Sequence, residues 1–309
     1  MRVAVLVSRV RVEERLLVEE LQRRGIAHEV VDVREQVFDI HDPTAWQRFD
    51  VALERCISQT QALTAVRVLE SFGVACVNAS GVIDVCGDKL ATSLALARAG
   101  VPTPGVRVAL EPESALQAVE ANGYPAILKP TVGSWGRLLA RVNDRDAAEA
   151  IIEHKAMLGS VQHGVFYVQE QIDKPGRDIR VFVVGTEPIA AITRSSEHWI
   201  TNTARGGHAA GHEIGVDLRE ISERAARAVG GGLLAIDLLE CPRRGLMVSE
   251  INHTMEFRNS ISTTGVDIPG RMVEHVLEVG EARRTGRATV PHECGVCVGG
   301  ADGAVGGEQ

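Results

Sequence analysis

The stretch VSEINHTMEFRNS, Val248 to Ser260, ends an apolar run with Glu250 and Asn252, two residues apart, and then turns densely polar. Strand alternation points residues two apart to the same face. Glu250 and Asn252 therefore share a face and Ile251 takes the other. A carboxylate beside an amide oxygen suits a hard cation such as Mg2+. The competing reading is a solvated strand end.

The neighbouring runs bear on that choice. Just upstream, LLAIDLL (Leu233–Leu239) places Asp237 inside an apolar strand, where an uncompensated carboxylate is costly to bury. A cation shared by Asp237, Glu250 and Asn252 and completed by phosphate oxygens accounts for both features. The alternative is an aspartate bonded to a loop N–H. Further upstream, DIRVFVVGTEPIAAITR reads as a hairpin turning at Gly185–Thr186, so this part of the chain is antiparallel. Helices are expected near Asp217–Val229 and from about Asp267 to Arg283. The Gly- and Ala-rich tail beyond Arg284 reads as disordered.

The middle of the chain opens with a helix from about Asp88 to Ala99, capped by Asp88 and stopped by Gly100 and two prolines. YPAILKP gives a strand ending at Lys129, TVGSWGR a Gly-rich turn, and LLARV the returning strand. A helix over Asp144–Leu158 and the strand GVFYVQEQI follow. A Gly-rich hairpin can lay backbone N–H groups over phosphates, with Lys129 supplying a point charge. A surface hairpin with a snorkelling lysine is the plainer reading, and Lys89 can likewise be a solvated first-turn lysine. The arginines Arg177, Arg180, Arg194, Arg205 and Arg258 form a candidate positive cluster, since guanidinium groups grip carboxylates and phosphates bidentately.

The first third alternates strands (Val3–Val7, HEVVDV, DVALERC, VACVN) with helical stretches, the pattern of a parallel sheet. SRVRVEER follows the first strand in place of a dinucleotide-binding glycine fingerprint, and no Walker A pattern occurs. The boundaries expected are 1–86 for an N-terminal α/β domain, 87–172 for a central subdomain, 173–284 for a C-terminal subdomain, and 285–309 for the tail.

Composition narrows the function. Across 309 residues the formal charge is -8, which argues against nonspecific nucleic-acid binding. No apolar run has membrane-spanning length, and the start turns charged too soon for a signal peptide. Six scattered cysteines show no secreted disulfide pattern, so a reducing cytoplasm is the expected setting. Cys56, Cys76 and Cys86 read as small core residues, and Cys294 with Cys297 as free thiols. Ser134 and Ser195 lack a Ser-His-Asp context, so no protein nucleophile is assigned.

In this order, the Asp88–Lys89 pair, LKP at Leu128–Pro130, GSWGR, QEQI, DIRVFVV, NTARGG, the Asp237 strand and SEINHTMEF resemble the ATP-grasp superfamily. Within it the chain is similar to the RimK-like branch and, through HWITNTARGG and EINHTMEFRNSISTTGVDIPG, to the LysX-type ligases of carrier-protein-dependent lysine biosynthesis. The likeness runs to about Arg283. It implies an ATP-grasp fold of mixed α/β class: a parallel-sheet N-terminal domain, a central lid subdomain and an antiparallel C-terminal subdomain. It also implies an ADP-forming ligase that makes an amide through an acyl phosphate, using ATP and two Mg2+ ions.

By the same resemblance, Lys89 and Lys129 bind phosphates, covered by Gly133, Ser134, Trp135, Gly136, Arg137, Leu138 and Leu139. Gln169, Glu170, Gln171, Ile172, Asp178 and Arg180 hold adenine and ribose. Arg194 and Asn202 touch the nucleotide, Arg194 and Arg205 act in catalysis, and Asp237, Glu250 and Asn252 hold the metal. Arg205, Gly206, Arg258, Asn259 and Ser260 contact substrate, and Asn259–Ser260 matches the motif associated with choosing α-aminoadipate over glutamate. The implied partner is a small acidic carrier protein, LysW-like, with a C-terminal glutamate. A homodimer or homotetramer is expected. A RimK-like ligase adding glutamate or an unusual amino acid to a carrier or peptide in a specialised pathway, and a silent ATP-binding regulator, stay open as alternatives.

Overall fold

The computed structural model describes residues 1–133, 138–159, 164–199, 201 and 208–286. The Gly-rich tail with Cys294 and Cys297 lies outside the described residues. So do Ser134, Trp135, Gly136, Arg137, Asn202, Arg205 and Gly206.

The N-terminal part is built from β1 (Arg2–Val7), α1 (Val12–Arg23), β2 (Ala27–Asp32), β3 (Val51–Glu54), α2 (Gln59–Ser71) and β4 (Ala75–Val77). Its four parallel strands lie in the order β2-β1-β3-β4. A parallel sheet is covered on both faces, which is why β1 is an unbroken valine-rich run with Val3, Ala4, Val5 and Leu6 fully buried. Between the adjacent strands β1 and β3 the strand order reverses, and such a switch opens a crevice at their carboxyl ends. Arg11 and Ser58 stand there.

The central part contains α3 (Ser80–Gly87), α4 (Lys89–Arg98), β5 (Val106–Ala109), α5 (Pro112–Asn122), β6 (Ala126–Lys129), β7 (Ala140–Val142), α6 (Arg145–Leu158) and β8 (Phe166–Glu170). Its antiparallel sheet runs β5-β8-β6-β7. Helices α5 and α6 close one core over it through Ala115, Val119, Ala148 and Ile152.

The C-terminal part contains β9 (Arg177–Gly185), β10 (Glu187–Ser195), β11 (His208–His212), α7 (Val216–Val229), β12 (Gly232–Cys241), β13 (Gly245–Asn252), α8 (Arg258–Thr264) and α9 (Ile268–Arg284). The sheet order is β11-β10-β9-β12-β13, all antiparallel. One face buries Ile236, Leu238, Val248 and Ile251 under Leu218, Ile221 and Ala225 of α7. The other face changes character along its length. Phe182, Val184, Leu233 and Ala235 pack on Val3, Val5, Leu17 and Val51, with Val276 of α9 in the same core. Farther along the same strands, that face carries charge.

A bulge sits where the charge begins. Asp237 pairs with Glu250, but Leu238 pairs with Val248, leaving Ser249 as the extra residue of β13. The expected strands and longer helices are present. Helices α3, α5 and α8 and strands β5 and β11 were not foreseen; α3, α8 and β11, at eight, seven and five residues, are too short to establish a period.

Candidate active site

Between the three parts lies a cavity of about 510 Å3. It brings together Lys89, Lys129, Gly133, Leu139, Gln169, Gln171, Ile172, Asp178, Arg180, Arg194, Asp237, Glu250 and Asn252, all singled out from the sequence. Alternation holds on β13. Glu250 and Asn252 both line the cavity, while Ile251 is buried on the opposite face.

The two lysines enter from helix and strand ends. Asp88 caps α4 by accepting from the N–H groups of Leu90 (2.7 Å) and Ala91 (3.1 Å), which fixes Lys89 at the first helical position. The Lys89 amide donates to Thr131 O at 2.8 Å. Its Nζ donates to Gly133 O at 2.7 Å and stands 3.7 Å from a Glu250 oxygen. Lys129, the last residue of β6, is 7% exposed. Burial lowers its pKa to about 8, against the pull of Glu250 and with a further push from Lys89. Two ammonium groups beside one carboxylate leave local positive charge for an anionic ligand.

Asp237 does not stand alone in its apolar strand: two arginines, rather than a loop N–H, compensate its charge. The cross-strand partner Arg180 grips it bidentately at 2.7 and 2.8 Å, and Arg194 approaches at 3.2 Å. Burial raises the carboxyl's pKa, but the two guanidinium groups outweigh it and hold the group down to about 2. Arg194 also forks Asp178 at 2.8 and 2.9 Å. The Thr201 hydroxyl donates to Asp178, and Lys174 Nζ donates to Thr201 Oγ1 at 2.9 Å. A continuous polar chain thus runs from Lys174 to Arg180 across three strands. Three members of the positive cluster expected from the sequence are accordingly paired: Arg180 and Arg194 serve Asp237 and Asp178, and Arg177 forks Glu240 at 2.6 and 2.9 Å.

At the other end, Ile127, Ile172 and Leu239 give an apolar slot beside Gln169 and Gln171. Among the described residues the buried Gln171 Oε1 has no hydrogen-bond partner. Glu170 departs from its expected nucleotide contact. Its carboxylate accepts from the Gly105 N–H and from Arg244, each at 2.6 Å, and it is absent from the cavity wall. The same alternation that places Gln169 and Gln171 on the cavity side turns Glu170 away. Leu138 is 73% exposed and also off the wall. Arg258, Asn259 and Ser260 open α8 away from the wall, with Arg258 and Asn259 exposed and Ser260 buried.

The sequence reading missed Lys174, Thr201 and the wall supplied by the N-terminal part: Arg11, Ser58, Gln59 and Thr60, facing His253, Thr254 and Glu256. The signal for that wall was the SRVRVEER stretch, whose place at the carboxyl end of β1 marks a crevice whatever its glycine content.

Paired lysines, a carboxylate–amide oxygen set and an apolar slot, held between two antiparallel sheets, define an ATP-grasp ligase. The chain belongs to the RimK-like ATP-grasp family, whose domain matches residues 86–276, preceded by a LysX preATP-grasp domain over residues 3–85. Among its relatives, the glutamate–LysW ligase ArgX of Sulfurisphaera tokodaii is 36% identical over 90% of this chain and 99% of its own length. The alpha-aminoadipate–LysW ligase LysX of Saccharolobus solfataricus is 31% identical over 86% of this chain and 97% of its own. The crystal structure of a RimK domain ATP-grasp protein from Sphaerobacter thermophilus superposes with a TM-score of 0.75 at 29% identity, covering 90% of this chain and 100% of that one.

ATP-grasp ligases work with ATP and Mg2+, and the residues here fit both. Gln171 Oε1, buried and unpaired among the described residues, is an acceptor of the kind that suits the amino group of a base. Among the described residues no three His, Cys, Asp or Glu side chains gather at a metal-binding spacing. The oxygen set is instead two carboxylates and the Asn252 amide, hard donors that suit Mg2+. No helix among the described residues is long and apolar enough to cross a membrane.

Proposed function

We propose that this ligase joins α-aminoadipate to the C-terminal glutamate γ-carboxyl of a small acidic carrier protein of the LysW kind, using two Mg2+ ions. The observation that carries the reading is the wall of the cavity: phosphate-seeking Lys89 and Lys129 gathered with Glu250 and Asn252, and the loop into Asn259–Ser260 leading directly out of it. The γ-phosphoryl group of ATP passes to a carboxylate oxygen and ADP leaves. The amine nitrogen then attacks the acyl carbon, phosphate departs, and the amine sheds its proton. Lys89 and Lys129 hold the phosphates and offset the charge that spreads over them in transfer. Asp237, Glu250 and Asn252 would hold Mg2+, which would supply positive charge to offset that of the phosphates. Arg180 and Arg194 keep Asp237 ionised and fixed. No protein nucleophile is required.

Glutamate as the incoming amino acid is the second reading, favoured by the 36% identity to the relative named a glutamate–LysW ligase. The two amino acids differ by one methylene, which a pocket discriminates by about 10–200-fold. The test is ADP release with Mg-ATP and an acidic carrier ending in glutamate, with mass spectrometry on the carrier. A mass gain with α-aminoadipate supports the proposal. Gain with glutamate alone replaces it with the second reading, and gain with neither removes the carrier.

A further inference from the structure

The loop that leaves Asn252 and enters α8 is held, residue by residue, by side chains of the N-terminal part. Asn78 Nδ2 donates to His253 O at 2.6 Å. The Thr254 hydroxyl donates to Glu54 at 3.4 Å. Arg55 donates to Met255 O at 3.0 Å. Arg11 pairs with Glu256 at 3.3 Å, and the Arg55 guanidinium lies 6.0 Å from the centre of the Phe257 ring. Every position from 253 to 257 therefore has an anchor in residues 11–78.

The anchors are themselves buried and braced. Arg55 is 1% exposed, Glu54 2% and Asn78 2%. Arg55 also pairs with Glu14, whose side chain is fully buried, at 3.0 Å, and Glu14 pairs with Arg11 at 2.8 Å. Asn78 further bonds both backbone groups of Leu233, at 2.6 and 3.0 Å. Its side chain packs so closely on Gly232 (φ +112°) that a Cβ there would come 2.1 Å from Oδ1. A buried ion pair is poor value as a stabiliser, because apolar residues of similar volume often do as well. What this one provides is direction: a guanidinium aimed at one carbonyl of one loop.

We infer that Arg55 is a positioning residue for the amino-acid half of the reaction, fixing loop 253–257 and through it the α8 entrance. This deepens the proposed function and rests on it for the identity of the amino acid. The phosphate end of the cavity is held separately, by Asp88 and Thr131 around Lys89 and by the arginines around Asp237. Disturbing Arg55 should therefore act on one substrate and spare the other.

The test compares wild type, Arg55→Met and Arg55→Lys. Amino acids are first screened on wild type for ADP release, so an error in the assumed amino acid shows there and not in the variants. With the accepted one, Arg55→Met should raise its KM about tenfold or more, because small displacements of a positioning element are costly. KM for ATP should stay within about twofold. Arg55→Lys, which keeps a cation for Glu14, should recover part of the loss. Equal rises in both KM values, or no rise in either, overturn the inference. If wild type accepts no amino acid, the proposed function falls by itself. Hydrogen exchange then decides, with faster exchange confined to residues 253–258 in Arg55→Met supporting the positioning role and unchanged exchange refuting it. Should Arg55→Met fail to fold, Thr254→Val, which removes the hydroxyl shared between Glu54 and His253 Nδ1, carries the same comparison.

Discussion

Replacing Asp237 by asparagine separates its structural part from its chemical one. The carboxylate makes three contacts, at 2.7 and 2.8 Å to Arg180 and 3.2 Å to Arg194. Arg194 keeps Asp178, but among the described residues Arg180 has no second carboxylate. Removing one partner of a buried pair costs about 3–5 kcal/mol. Arg180 is 18% exposed at its side chain, so water screens part of the orphaned charge and the low end, about 3 kcal/mol, applies. With an unfolding entropy near ~2.1 cal/mol/K per residue, the melting midpoint should drop by about 5 °C. Adding Arg180→Gln removes the orphan and should restore most of that loss, to within about 1 kcal/mol of wild type. Activity should behave differently: ADP release is lost in both single and double variants if Asp237 holds the metal. Thermal melts without nucleotide and acceptor-dependent ADP release measure the two parts. A single variant melting within about 1 °C of wild type refutes the pairing argument. Retained turnover in either variant refutes the metal assignment. The carboxyl's pKa is depressed to about 2, so its contribution is whole above pH ~4 and is lost as pH falls towards 2.

Lys129 also has a lowered pKa, but there the shift disfavours the charged form. Its folded pKa is lowered from 10.5 to about 8, so the folded state binds fewer protons than the unfolded chain between those values. Stability without nucleotide should rise with pH across that window, while KM for ATP should climb above pH ~8 as the ammonium is lost; a flat KM profile from pH 7 to 9.5 contradicts the burial argument. Glu170→Gln should leave KM for ATP within about twofold and cost under about 1 kcal/mol, because its pair with Arg244 is partly exposed. A large rise in KM would return Glu170 to the nucleotide. Asn259→Ala should cut the preference for α-aminoadipate over glutamate by about tenfold, read from competing substrates; an unchanged ratio removes Asn259 from that role.

Lys89, Lys129, Glu250 and Asn252 were legible because each depends on local rules: a helix cap, a strand end, an alternation of two. The ion pairs were not legible. Asp237 meets Arg180 only through the register of β12 on β9, and Asp178 meets Arg194 only through that of β9 on β10. Nothing along the chain states which residues a register will oppose, so Arg177, Arg180 and Arg194 resembled free charge. Glu170 was within reach: alternation along Gln169–Gln171 excludes it once Gln169 is placed inside. The loop anchors, separated from their targets by 175 to 245 residues, lay beyond any local rule.

The extra residue at Ser249 puts β13 in two frames at once. Val248 and Ile251 both reach the core under α7, although they are three apart, and Glu250 and Asn252 keep the cavity. An evenly spaced strand would give Val248 and Glu250 the same face. Deleting Ser249 would force a choice between a sound interior and a working metal edge. This strand should therefore tolerate many substitutions in its lineage but almost no change of length, a signature readable in natural variation without any assay.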